Sequence, residues 1–220
     1  MMTPPPPSTT TTTNNTNNPH ALSEAQEEGE MFDVMEAPSS DFDMRKDRPI
    51  PSGRIKARRD VHRDGDWHRS VHIWLVDYDR GLVGLQKRSL EKDTFPGRWD
   101  ISAAGHVEAG VTDSRETALR ELAEELGIST QEDKLQYKFT CPGNLASLGG
   151  CNCFEDVYFF PVNSETIHIH IGIAEVTDFQ WISITEYEQI LRSKTNEQYV
   201  PRVDSYMDAF FLELKQAIKL

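Results

Sequence analysis

Hydrophobic and polar positions begin to alternate at Met31. Met31, Phe32, Asp33, Val34 and Met35 read as a short strand, which Pro38 and the polar residues through Asp43 close off. Residues 53–61 carry Arg54, Lys56, Arg58 and Arg59 and predict a second strand, with Ile55 and Ala57 turned inward. Its cationic side suits either solvent or the rim of a site for an anionic ligand. Residues 70–77 (SVHIWLVD) are rich in β-formers, 78–81 form a turn, and 82–87 return as the other arm of a hairpin. A polar loop over 90–98 ends at Phe95-Pro96-Gly97, and 99–103 read as a short strand. Over 114–126 the period becomes helical, with Ala118, Leu119, Leu122, Ala123 and Leu126 on one face. Asp113 is placed to cap that helix, Glu116 to complete a capping box and Gly127 to end it. Further on, 135–140, 155–161, 166–171 and 179–182 predict strands, and 185–191 and 204–219 predict helices. Strands interleaved with three helices predict a mixed-sheet α/β sandwich and not a regular βαβ array.

Ahead of Met31 the pattern stops. Pro4 to Pro7, a Thr run over 9–13 and Asn-rich 14–18 offer no apolar face, so 1–28 read as a disordered low-complexity tail. On this reading 31–66 lead into a domain over 67–212, and 204–220 form its C-terminal helix. The 220 residues, enough for one ordinary domain, hold 36 acidic and 23 basic side chains, a formal charge of −13. Glu24, Glu27, Glu28 and Glu30 concentrate part of this at the N-terminal end, yet the rest stays acidic. Such a balance excludes nucleic acid held through its phosphates and adsorption on anionic lipid. No apolar run approaches the ~20 residues of a membrane span. No Lys or Arg precedes Arg45 and no apolar core follows Met1, so no signal or transit peptide is expected. Three cysteines, Cys141, Cys151 and Cys153, fit a reducing, cytoplasmic setting. Cys151 and Cys153 lack a second ligand pair at zinc-finger spacing and read as plain thiols near a strand start. His168 and His170 read as an exposed strand face, Trp99 and Trp181 as core, and Arg192, Lys194 and Arg202 as solvated charges.

The helix over 114–126 carries the chemistry. Glu121, Glu124 and Glu125 stand at i, i+3 and i+4, within one turn. Like charges so spaced repel by roughly 0.2–0.5 kcal/mol per pair when exposed, and by more when shielded. The macrodipole also disfavours anions late in a helix. Arg120 reaches Glu116 and Glu124 at i±4, but one guanidinium does not neutralise the cluster. Mg²⁺ or Mn²⁺, which prefer oxygen ligands, would. The plainer alternative is a solvated acidic face balanced by Arg115 and Arg120.

Gly105-His106-Val107-Glu108-Ala109-Gly110, followed by Arg120-Glu121-Leu122-Ala123-Glu124-Glu125-Leu126-Gly127-Ile128, resembles the Nudix box, G-x5-E-x7-R-E-U-x-E-E-x-G-U with U aliphatic. The second half matches at every specified position. In the first half, Gly105 lies one residue further from Arg120 than the pattern allows. The place of its first Glu falls on Val111 counted from Gly105, or on Thr112 counted back from Arg120. Asp113 is the nearest acid, and a bulged loop would let it replace the Glu that steadies Arg120 in the family.

Asp66-Trp67-His68-Arg69, Gln86-Lys87-Arg88-Ser89, Lys92-Asp93-Thr94-Phe95-Pro96-Gly97 and 99–106 (WDISAAGH) are similar to the branch related to isopentenyl-diphosphate isomerase. The likeness runs from Phe32 to the C-terminal helix and implies a Nudix-type α/β/α sandwich, with the box at 105–128. It implies a Mg²⁺-dependent (or Mn²⁺-dependent) hydrolase of a nucleoside diphosphate derivative or related organic diphosphate. Glu121, Glu124 and Glu125 would hold the metal, joined by the Gly105 carbonyl. Glu121 is the first choice for general base, with Glu155 and Glu175 as alternatives, and Lys87 and Arg88 are candidates for phosphate contact. True isomerases carry a catalytic Cys immediately before the Gly-His pair, where this chain has Ala104, so isomerisation is disfavoured. The altered loop at 111–113 keeps a non-catalytic ligand-binding module open. His68 and His106 fall where isomerases place metal-ligand histidines; hydrogen bonding to a loop is the alternative. Substrate selection is expected in the loop over 140–154.

Overall fold

A ten-residue strand, β3 (His68–Asp77), forms the spine of the molecule, and nine of its ten residues are buried. Its near-continuous apolar run is the mark of a strand covered on both faces. The computed structural model describes residues 29–92, 94–145 and 150–218. The tail expected over 1–28 lies outside them.

β3 runs parallel to β8 (Asn152–Pro161), antiparallel to β6 (Ala103–His106) over its first half, and antiparallel to β4 (Leu82–Arg88) at its far end. β5 (Trp99–Asp100) and β9 (Val176–Ser183) join β4, and β7 (Gln136–Asn144) joins β8, completing a mixed seven-stranded sheet. Alternation along β3 divides the core. Val71, Ile73 and Leu75 meet Ala118, Leu122 and Leu126 of a helix laid on one face. Trp74 and Val76 meet Tyr187, Tyr206, Phe210 and Leu214 on the other. These belong to α3 (Ile184–Ser193) and α4 (Asp204–Ile218), so the α/β/α sandwich is the one expected.

Five local expectations are corrected. Of 53–61, only part is strand: β2 (Pro51–Ala57) pairs with β1 (Met31–Met35), and α1 follows at Arg58–Asp64. The charges of α1 suit its dipole, with Asp60 in the first turn and His62 and Arg63 in the last, and Gly65 ends it at φ +68°. Ile55 is not inward but 56% exposed. The strand expected over 99–103 divides into β5 and β6. Residues 166–171 form no strand: the Thr166 and Ile167 N–H groups donate to the Asn163 carbonyl in a local turn, and His170 donates to the end of a helix at Leu126. The expected 140–154 loop is largely the β7–β8 hairpin, which pairs as far as Asn144↔Asn152.

Candidate active site

The acidic helix, α2 (Ser114–Leu126), spans the predicted residues. The Asp113 carboxylate accepts from the Arg115 N–H, and Gly127 closes the helix at φ +66°. Its last carbonyls accept backbone N–H groups from the 166–175 segment: His170 donates to Leu126 at 2.9 Å and Gly172 to Glu125 at 2.8 Å. The last turn is thereby fixed against the sheet, although Ala123, expected on the apolar face, is exposed.

Glu121 and Glu125 point inward and are buried, whereas Glu124 stays at the rim. Glu125 accepts hydrogen bonds from the Gln86 side-chain amide and the Ala104 N–H, each at 2.9 Å. Glu121 lies against Gly105 so closely that a Cβ there would come within 2.0 Å of its carboxylate. Only glycine lets backbone and carboxylate share this space. Burial first, and the neighbouring Glu125 charge second, push the Glu121 pKa up to about 9; burial also raises Glu125. Arg120 bridges Glu121 at 2.8 Å and Glu124 at 2.9 Å. Asp113, proposed above as its partner, pairs with Arg115 instead. Buried carboxylate oxygens short of charge compensation fit a hard divalent cation.

Glu121 and Glu124 line a cavity of about 210 Å³, whereas the buried Glu125 is not among its lining residues. Arg88, Lys92 and Arg202 also line it. Lys92 sits 3.4 Å from Glu125 and bonds Glu175. Burial opposes a charge on Glu175, but Lys92 outweighs it and holds that pKa below the ordinary value. Arg88 is tied to Asp100 at 3.1 Å and to the Thr94 carbonyl at 2.9 Å. Lys87 is not among the lining residues; its ammonium lies 5.7 Å from the Trp99 ring centre. Arg202, read from sequence as a solvated charge, is buried and paired with Asp100. Glu155 also faces the cavity, and burial pushes its pKa up to about 8.

A second constellation adjoins the first. Donor atoms of His62, His68, His106 and Cys151 all lie within 4.8 Å of one another. Phe32 of β1 stacks on His68 at 5.3 Å and on His106 at 5.0 Å between ring centres. Cys153 Sγ lies 3.2 Å from His68 Nε2. Burial lowers the His106 pKa to about 3, leaving a neutral imidazole. Imidazole and thiolate suit Zn²⁺ better than Mg²⁺. The thiols are therefore not isolated. The sequence reading singled out His68 and His106 but not His62, which follows the segment read as strand over 53–61 and falls in α1. The other contacts also join distant positions, 45 residues apart for His106–Cys151 and 85 for His68–Cys153.

A mixed sheet between helices, with a carboxylate-bearing helix set against a glycine beside a cavity lined by both acidic and basic side chains, defines an α/β class. Within it, the NUDIX domain profile matches residues 66–203, and the chain belongs to that family. Nudix hydrolase 3 of Arabidopsis thaliana is 38% identical over 167 residues, covering 73% of this chain and 21% of that protein, so the chain spans about a fifth of that relative's length. Isopentenyl-diphosphate Delta-isomerase 2 of Photorhabdus laumondii subsp. laumondii is 28% identical over 150 residues, 67% of this chain and 78% of that protein. In fold, the chain is similar to a crystal structure from Deinococcus radiodurans, with a TM-score of 0.55 at 18% identity over 83% of this chain and 98% of that one. Among the described residues no helix is long and apolar enough to cross a membrane.

Proposed function

We propose that the chain is a divalent-metal-dependent hydrolase of a small diphosphate, either a nucleoside diphosphate derivative or a related organic diphosphate. The observation that carries this is the placement of Glu121, Glu124 and Glu125 within one turn of α2, with Glu121 against Gly105 and with Glu121 and Glu124 lining a cavity that also holds Arg88, Lys92 and Arg202. The catalytic unit is 67–212, with 31–66 packed on it. Mg²⁺ (or Mn²⁺) held by these carboxylates and the Gly105 carbonyl would neutralise the diphosphate and activate the attacking water.

The chain's own side chains do the rest. Lys92 and Arg88 orient and screen the diphosphate, which otherwise repels a nucleophile. Arg120 holds Glu121 and Glu124 in place through its two ion pairs. Glu121, whose proton a bound metal would displace, takes the proton of the attacking water with the oxygen it does not give to the metal. Glu155 and Glu175 are the alternative bases, since both face the cavity. Isomerisation is the weaker reading, because Ala104 supplies no thiol before the Gly-His pair.

The test is phosphate release from a panel of nucleotide-sugar, dinucleotide and isoprenoid diphosphates, with and without Mg²⁺. Turnover of at least one, dependent on metal and abolished by Glu124→Gln in a folded protein, is the expected result. Binding without any turnover would favour a ligand-binding module. An unchanged rate in Glu124→Gln would place the metal elsewhere.

A further inference from the structure

Cys151 and Cys153 have no task in the proposed hydrolysis, yet both line the cavity. Cys151 immediately precedes β8 and is partly exposed, whereas Cys153 lies within β8 and is buried. Residues two apart on extended chain face the same side, and the two Sγ atoms stand 3.0 Å apart. The Cα atoms of such a pair are separated by about 6.6 Å. That falls near the wide end of the ~4.4–6.8 Å range a disulfide spans. A bond at this limit forms but is readily reduced, which marks a labile bridge and not a structural one. The pair sits among imidazoles, with His106 Nε2 3.9 Å from Cys151 Sγ and His68 Nε2 3.2 Å from Cys153 Sγ.

We propose that Cys151 and Cys153 form a reversible oxidation site for hydroperoxides, hydrogen peroxide being the simplest. The sulfur of Cys151, the more accessible thiol, attacks one peroxide oxygen. The O–O bond breaks, water leaves, and Cys151 becomes a sulfenic acid. Cys153 then attacks the Cys151 sulfur; the S–O bond breaks and a second water leaves. Two thiol hydrogens and two electrons pass to the peroxide, giving one disulfide and two waters. The bridge withdraws Cys151 from the group it forms with His62, His68 and His106. It also acts on the loop closure where the Leu145 N–H meets the Cys151 carbonyl at 3.2 Å. Cys141, buried beside Ser205 Oγ at 3.8 Å, stands outside this exchange.

The test uses the full chain, reduced, stripped of metal with a chelator and treated with a small excess of hydrogen peroxide. Remaining thiols are alkylated, and chymotryptic peptides are weighed. Cleavage after Leu148 and Phe154 puts Cys151 and Cys153 in one peptide, apart from Cys141. That peptide should lose both alkylation sites and become two hydrogens lighter, while Cys141 stays alkylated and dithiothreitol restores both thiols. Cys141→Ser should behave as wild type, and Cys153→Ser should leave a sulfenic acid on Cys151 that dimedone captures. Full alkylation of both cysteines after peroxide treatment, or bridges formed only between molecules or only through Cys141, would overturn the proposal. Because the readout is mass and not turnover, failure of the hydrolase reading leaves this result unaffected.

Discussion

Gly105 and Glu121 show how much of the site rests on single atoms. A Cβ at position 105 would meet the Glu121 carboxylate at 2.0 Å. Gly105→Ala should therefore displace that carboxylate and weaken Mg²⁺ binding at least ten-fold by titration, with little loss of fold. The buried acids also fix a pH response. Glu121 and Glu155, with pKa values of about 9 and about 8, bind protons more tightly in the folded, metal-free chain than in the unfolded one. The stability they contribute is complete below the ordinary carboxylate range and is lost as pH rises through 8 and 9. The Tm of metal-free protein should fall between about pH 6 and pH 9, and the gain from Mg²⁺ should grow over the same window. A flat Tm would mean that these acids are already ionised. Arg202 is buried against Asp100, so Arg202→Met leaves that carboxylate short of a partner and should cost about 3 kcal/mol by denaturant unfolding. Spacing placed Glu121, Glu124 and Glu125 within one turn but left a solvated acidic face open, and the burial of Glu121 and Glu125 was not legible from it. Arg202 was not, because its partner lies 102 residues away and a buried arginine reads like a solvated one.

At the scale of elements, legibility followed the source of each hydrogen bond. The bounds of α2 were readable, since its cap and terminal glycine are local, although Ala123 falls off the apolar face. Residues 166–171 had strand-like alternation but no strand to pair with; Thr166 and Ile167 donate to Asn163 in a turn, and His170 to the end of α2. The segment 53–61 concealed a helix start, because alternating cations fit either period over so few residues. Asp113 offers a test at this scale. As the cap of α2 it should cost about 1 kcal/mol when changed to Ala, read as a lower Tm. Because Arg120 is held by Glu121 and Glu124, turnover should stay within about two-fold of wild type. A collapse of activity would restore Asp113 to the place of the missing Nudix glutamate.

Across the whole molecule, the N-terminal unit is part of the site and not an appendage. β1 brings Phe32 onto two histidines, and α1 brings in His62. Deleting residues 1–28 should leave Tm and turnover nearly unchanged. Deleting through residue 57 should lower the Tm by several degrees and leave His68 and His106 open to modification by diethyl pyrocarbonate. The formal charge of −13 excluded polyanions as bulk partners but did not foretell a cavity lined by Arg88, Lys92 and Arg202. Net charge averages over the surface, whereas a ligand meets only the local field.

Gly105 and His106 are joined by one peptide bond on β6, yet one stands against Glu121 and the other among the imidazoles. The two donor sets therefore share a rigid link two residues long. Whatever displaces β6 while binding at one set must change the affinity at the other, and reciprocity requires the same factor in both directions.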